Sequence, residues 1–193
     1  MISEMRLSFA PLTLDRWRDL ETLFGARGAC AGCWCMYPRL SRSAWEAGRG
    51  AANKRALRRL VAAGPPPGIL AYRGETPIGW CAIAPRGSYP LLARSRVLAP
   101  VDDSPVASIA CLFVAKAERK RGVSKQLLRA AAAFARSWGA RLVEGYPTDK
   151  QGSQPDAFLW TGLASAFLSA GFAEVARRSR TRPIMRRSLR PKR

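Results

Sequence analysis

The sequence predicts an α/β fold in one domain, and three observations carry that prediction. Short apolar runs alternate along the chain with stretches whose apolar residues recur at helical spacing. Gly and Pro clusters fall between them, where they end helices and set turns. No internal repeat or linker interrupts the 193 residues, a length that buries a substantial core. The expected domain spans 1–193, with a basic tail from about 188.

The elements follow in order. Residues 6–10 read as a first strand, and Thr13 or Asp15 is placed to cap a helix carrying Leu14, Trp17, Leu20 and Leu23 on one face. Residues 25–38, rich in Gly and Cys, lack periodicity and are expected to be a loop. One helix is predicted over 43–63, ended by Gly64-Pro-Pro-Pro-Gly68 because proline lacks the amide a helix needs. Two apolar runs, 69–73 and 77–84, flank the turn at Gly74 and predict a β-hairpin. The connection 85–105 reads as long and irregular, a form that usually has a functional reason. A continuous apolar run at 106–114 predicts a buried strand. Val123, Leu127, Leu128, Ala131, Ala135 and Trp138 then mark one face of a helix. Residues 140–146 form the next strand. A helix capped by Asp156 runs to about 170 and ends at Gly171, and 172–177 and 183–187 are closing strands.

Composition narrows the chemistry. Hydrophobic residues make up 48% of the chain, which excludes an intrinsically disordered sequence. No run of about 18 apolar residues is present to span a bilayer, and the first residues lack the apolar core of a signal peptide. A cytoplasmic protein without a membrane partner is expected. The formal charge is +20, from 33 Lys and Arg against 13 Asp and Glu, and there is no histidine. That absence excludes Ser-His and Cys-His nucleophiles and removes the commonest metal ligand. The excess charge suits a phosphorylated cofactor, an acidic acceptor or nucleic acid, alongside plain solvation. Five cysteines without a secretion signal argue for reduced thiols.

The informative segment runs from Cys111 to Leu128: a strand, a basic turn with one glycine, then an amphipathic helix. Between Arg119 and Lys125 the turn presents unpaired amides at a helix N-terminus, where the helix dipole also favours an anion. Gly122 lets the backbone approach a phosphate closely, and Ser124 is small enough not to obstruct it. Arg119, Lys120, Arg121 and Lys125 add positive charge, so the turn suits a pyrophosphate.

On these residues the chain resembles the GNAT acetyltransferase superfamily, whose signature is Gln/Arg-x-x-Gly-x-Gly/Ala after a Leu-x-Val strand. The match is Leu112-Phe113-Val114 followed by Arg119-Lys120-Arg121-Gly122-Val123-Ser124, and Phe167-Leu-Ser-Ala-Gly-Phe172 is similar to the family's late helix-to-strand junction. The order of elements is also the family's. The resemblance implies a central mixed, mostly antiparallel sheet flanked by helices, and acetyl-CoA as co-substrate with no metal. It implies that the backbone from Leu112 to Val114 pairs with the pantetheine arm and that amides from Arg121 to Lys125 hold the pyrophosphate. The acceptor is then an amine of a small molecule or a protein.

The chain departs from the family's acid and base. Where many relatives carry a glutamate on the central strand, Ala107-Ser108-Ile109-Ala110 has no carboxylate, and Phe167 stands where many carry a tyrosine. Tyr146 is the substitute candidate for the acid, and Glu144 and Asp103 are candidates for the base; positioning of the amine beside the thioester is the alternative. Cys30-Ala-Gly-Cys33-Trp34-Cys35-Met-Tyr37 has zinc-like spacing, but three thiols without a histidine favour packed thiols over a closed four-ligand site. By its place in the family, this stretch brings Trp34 and Tyr37 toward the acceptor. Two rival readings remain, a CoA-binding protein without transferase activity and a basic nucleic-acid-associated protein. The second is less favoured, because the nine basic residues after residue 176 include no aromatic platform. The sequence leaves room for a homodimer.

Overall fold

A computed structural model describes residues 6–149 and 160–189. Its elements are β1 (Leu7–Pro11), α1 (Trp17–Phe24), α2 (Arg42–Ala47), α3 (Ala51–Ala63), β2 (Gly68–Arg73), β3 (Thr76–Pro85), α4 (Pro90–Arg94), β4 (Ala107–Val114), α5 (Val123–Ser137), β5 (Leu142–Gly145), α6 (Ala164–Ser169), β6 (Ala173–Arg177) and β7 (Pro183–Ser188). The strands form one seven-stranded sheet in the order β1-β2-β3-β4-β5-β7-β6. Every pairing is antiparallel except β4 with β5. A parallel pair needs a long crossover, and α5 supplies it. No described helix is long and apolar enough to cross a membrane.

Alternation along β4 sorts the core into two layers. Ile109, Leu112 and Val114 face α5, whose Val123, Leu127, Leu128, Ala131 and Ala135 close that layer. On the opposite face, Cys111 packs with Trp80 and with Trp17, Leu20 and Phe24 of α1 and Leu57 of α3. Ala110, Tyr89, Leu92 and Tyr146 form the layer's other half. Pairing to β3 steps from Ile109↔Ile83 to Cys111↔Ala82, which leaves Ala110 as an extra residue. This β-bulge turns Ala110 and Cys111 to the same face and reverses the inside-outside phase of the strand's second half.

Several expectations are corrected. The helix expected at 43–63 is two helices, broken at Gly48–Gly50, where Gly50 has a φ of 85°. A Cβ on Gly48 would lie 2.5 Å from Asn53 Oδ1. Asn53 is buried there, and its side-chain amide donates to Gly32 O at 3.3 Å and Trp45 O at 3.1 Å. Leu14 is exposed because 14–16 form a separate 3-10 turn ahead of α1, out of phase with its buried face. Trp138 is the exposed C-cap of α5, beyond the last buried turn. The connection after β3 is not wholly irregular, since it holds α4. The late helix is described only from Ala164, and the expected cap Asp156 lies outside the described residues, as does the end of the basic tail.

Candidate active site

The basic turn lies where β4 hands over to α5. A 3-10 turn over Lys116–Glu118 leads out of the strand, and Gly122 is the N-cap of α5 in the left-handed conformation, with φ 74°. A side chain there would be strained, whereas glycine adopts this geometry freely. Lys120 also has a positive φ, 63°, a cost of about 1 kcal/mol for a residue with a Cβ. Such strain clusters at functional turns.

Among the described residues no side chain caps α5. The first amides of a 15-residue helix therefore point outward at the positive end of its dipole. A Cβ built on Gly122 meets nothing within 4 Å, so the approach is open. Val123 is buried and anchors the helix start, while Lys120, Arg121 and Gly122 are exposed and Ser124 and Lys125 are half-buried. The charges do not all face outward. Arg119 donates through Nε to Val114 O at 3.2 Å, and Glu118 pairs with Arg73 at 2.8 Å and more loosely with Arg121 at 3.5 Å. These contacts brace the turn.

Beside the turn, β4 and β5 part. They pair only from Ala107↔Val143 to Ile109↔Gly145. The gap beyond holds the segment after residue 159: Leu112 N donates to Trp160 O at 2.7 Å, and Thr148 N donates to Gly162 O at 2.8 Å. Leu112 thus directs its amide to the open side, and Val114, two residues on, presents its backbone to the same edge. Phe113 is half-buried on the opposite face. Along the edge expected to pair with an extended ligand, the Leu112 amide bonds Trp160 O and the Val114 carbonyl accepts from Arg119 Nε.

Tyr37 reaches the same opening. Its ring packs edge-on against Trp160 at 5.5 Å and against Trp45 at 5.0 Å. Trp34, expected beside it, is buried instead against Trp17 and Phe24. Ala31, Trp34 and Cys35 have positive φ, which coils the loop and turns the indole inward. This places Trp34 in the core. The cysteines diverge. Cys30 is exposed, while Cys35 is buried with its Sγ 3.1 Å from Cys111 Sγ and accepts a hydrogen bond from Trp80 Nε1. The Cys111 sulfur, and then burial, hold the Cys35 thiol well above the usual thiol range. Among the described residues no three Cys, Asp or Glu gather as a metal site.

Tyr146 and Glu144 lie in a closed network, each 1% exposed. The Tyr146 hydroxyl donates to Glu144 Oε1 at 2.5 Å and lies 2.9 Å from Ser108 Oγ. Glu144 also accepts from Arg86 at 2.9 Å and Arg186 at 2.7 Å, and Arg186 reaches Asp102. Arg86 donates onward to Leu98 O at 2.6 Å, which pins the long connection to the sheet. Burial, then the Glu144 charge, push the Tyr146 phenol far up. Asp103 is exposed on that connection. Phe167 is fully buried, and its ring edge fills the space over Gly145, where a Cβ would come within 2.2 Å.

Sequence reasoning missed Trp160, Thr148, Thr161 and Arg182. Arg182 Nη1 donates to Thr148 Oγ1 at 3.2 Å and Thr161 Oγ1 at 3.1 Å, next to Trp160. Its one local signal was its place before Pro183, at the start of a strand.

Fold and turn together define an α/β protein whose central strand parts from its parallel neighbour just before an uncapped, basic helix start. The model of the acetyltransferase (GNAT) family matches residues 32–152, and the chain belongs to that family. No curated protein matches it in sequence. Among solved structures, a GNAT-family acetyltransferase from Streptococcus agalactiae aligns with TM-score 0.58 at 10% identity, covering 96% of each chain. The PaiA N-acetyltransferase from Thermoplasma acidophilum, solved with coenzyme A, aligns with TM-score 0.56 at 15% identity over 96% of this chain and 100% of its own. A GNAT-family acetyltransferase from Desulfovibrio desulfuricans gives 0.54 at 14%, with the same coverage. At such identities the likeness is one of fold.

Proposed function

We propose that the chain transfers an acetyl group from acetyl-CoA to an amine. The observation that carries this reading is the uncapped start of α5, with Gly122 open to solvent, at the end of a strand edge parted from β5. The amides from Arg121 to Lys125 hold the diphosphate, with Lys120 and Arg121 beside them. The pantetheine arm lies along Leu112 to Val114 and adds a strand by backbone pairing, taking the Leu112 amide from Trp160. The amine nitrogen then attacks the thioester carbonyl, the carbon–sulfur bond breaks, and CoA leaves as a thiol carrying the proton the amine loses. No carboxylate stands on β4, so the rate comes mainly from positioning an already neutral amine.

Tyr146 serves the fold in this reading, because its proton is committed to Glu144 inside a closed network. Tyr146→Phe should lower stability by about 2 kcal/mol, the scale of a hydrogen bond to a charged group. Turnover per folded molecule should not change. A fall in turnover with stability and cofactor affinity intact would make the phenol the acid after all.

Titration calorimetry with acetyl-CoA at low ionic strength tests the cofactor seat, and thiol release with an amine panel tests transfer. Folded protein that binds no acetyl-CoA would overturn the proposal. Binding without thiol release would favour a non-catalytic CoA-binding protein, the reading supported by the missing strand carboxylate and by the Trp160 carbonyl on the Leu112 amide.

A further inference from the structure

Arg182 differs from three other arginines, Arg177, Arg186 and Arg86, which pair with carboxylates. Arg177 pairs with Glu174 and Asp149, Arg186 with Glu144 and Asp102, and Arg86 with Glu144. Arg182 is half-buried, yet no carboxylate among the described residues pairs with it. Its partners are two neutral hydroxyls, both on buried threonines, and both are reached from the single atom Nη1. Asp149 N bonds Thr181 O, but the Asp149 carboxylate goes to Arg177 at 2.8 Å.

Burial lowers the Arg182 guanidinium from its ordinary value, the direction expected of a cation drawn from water. An arginine nonetheless stays charged. A charge so placed is costly until an anion completes it. Its Nε and Nη2 make no hydrogen bond with the described residues, and these two parallel donors match the two oxygens of a carboxylate. The site is also at the right place. Thr161 follows Trp160, whose carbonyl sits on the Leu112 amide, and Tyr37 packs on the Trp160 ring.

We propose that Arg182 receives a carboxylate on the acceptor, so that the substrate is an amine bearing a carboxylate, of the amino-acid type. Thr148 and Thr161 hold the guanidinium in place, and Trp160, with Tyr37 packed on its ring, connects Thr161 to the Leu112 edge. The high positive charge draws such anions toward the protein. This inference rests on the transfer reading for its chemistry but not for its binding.

The test compares L-phenylalanine and L-methionine with their amides, on the full chain. Thiol release is followed with saturating acetyl-CoA, and acceptor binding to CoA-loaded protein is followed by calorimetry. The acids should be favoured over the amides by about 10- to 100-fold in KM and Kd, the scale of a charge-assisted pair. Arg182→Gln should abolish that preference while CoA affinity stays unchanged. Arg182→Lys, which keeps the charge without the fork, should keep part of the preference. Amides bound or acetylated as well as acids, or a preference that survives Arg182→Gln, would overturn the proposal. So would acids that neither bind nor react. Acids that bind through Arg182 without any thiol release would uphold it and remove the transfer reading. Neutral amines acetylated while acids are ignored would do the reverse.

Discussion

Gly122→Glu should abolish measurable acetyl-CoA binding. The new carboxylate would stand at the helix start, where the diphosphate is to sit. At about 4 Å and an effective dielectric near 20, one such pair of like charges costs about 4 kcal/mol, roughly a thousandfold in affinity. The fold should survive. The position is open in the free protein, and its φ of 74° adds strain of only about 1 kcal/mol. An acidic residue at a helix N-terminus is itself favourable. Gly122→Ala separates the two effects, since it carries the strain without the charge. It should lose about 1 kcal/mol of stability and retain binding. Calorimetry on the two variants reads the difference, and unimpaired binding by the glutamate variant would mean that the phosphates sit elsewhere.

Glu144→Gln should have the largest effect on stability. The carboxylate is 1% exposed and holds two guanidiniums, Arg86 and Arg186, that are themselves largely buried. Removing the carboxylate leaves Arg86 without its acidic partner and Arg186 with Asp102 alone, and breaking a buried ion pair in this way costs about 3–5 kcal/mol. That is a large part of the 5–15 kcal/mol typical of a folded domain. Arg86 also carries the bonds to Leu92 O and Leu98 O, so the connection after β3 should loosen first. Urea unfolding gives the loss directly, and proteolysis within 90–105 reports the loosening. A change below about 1 kcal/mol would show that water or a shifted side chain replaces the carboxylate easily.

How much was legible beforehand differs from one element to the next. The hairpin at Gly74, β4 and α5 were legible because period-2 or period-3.6 apolar patterns and glycine breaks lie within one local window. The basic turn was legible for the same reason: its amides, glycine and charges are consecutive in the chain. The break at Gly48–Gly50 was not, because it is stabilised by Asn53 reaching back to Gly32 and Trp45. The roles of Trp34 and Tyr37, three residues apart, were inseparable in sequence. Positive φ at Trp34 and Cys35 sends one ring into the core and leaves the other at the opening.

Residue order by itself determined the α/β class, most of the run of strands and helices, and a basic, glycine-bearing turn at the start of α5, since each depends on neighbours in the chain and on backbone groups any sequence carries. Tertiary structure alone decided which charges are spent and which are not. Glu144 and Tyr146 look like acid–base candidates until Arg86 and Arg186, far away in the chain, are seen to close around them. Arg182 looks like one more basic residue until its surroundings show two hydroxyls and, among the described residues, no carboxylate. Electrostatic energy depends on distance through space and on access to water, and neither can be read from sequence separation.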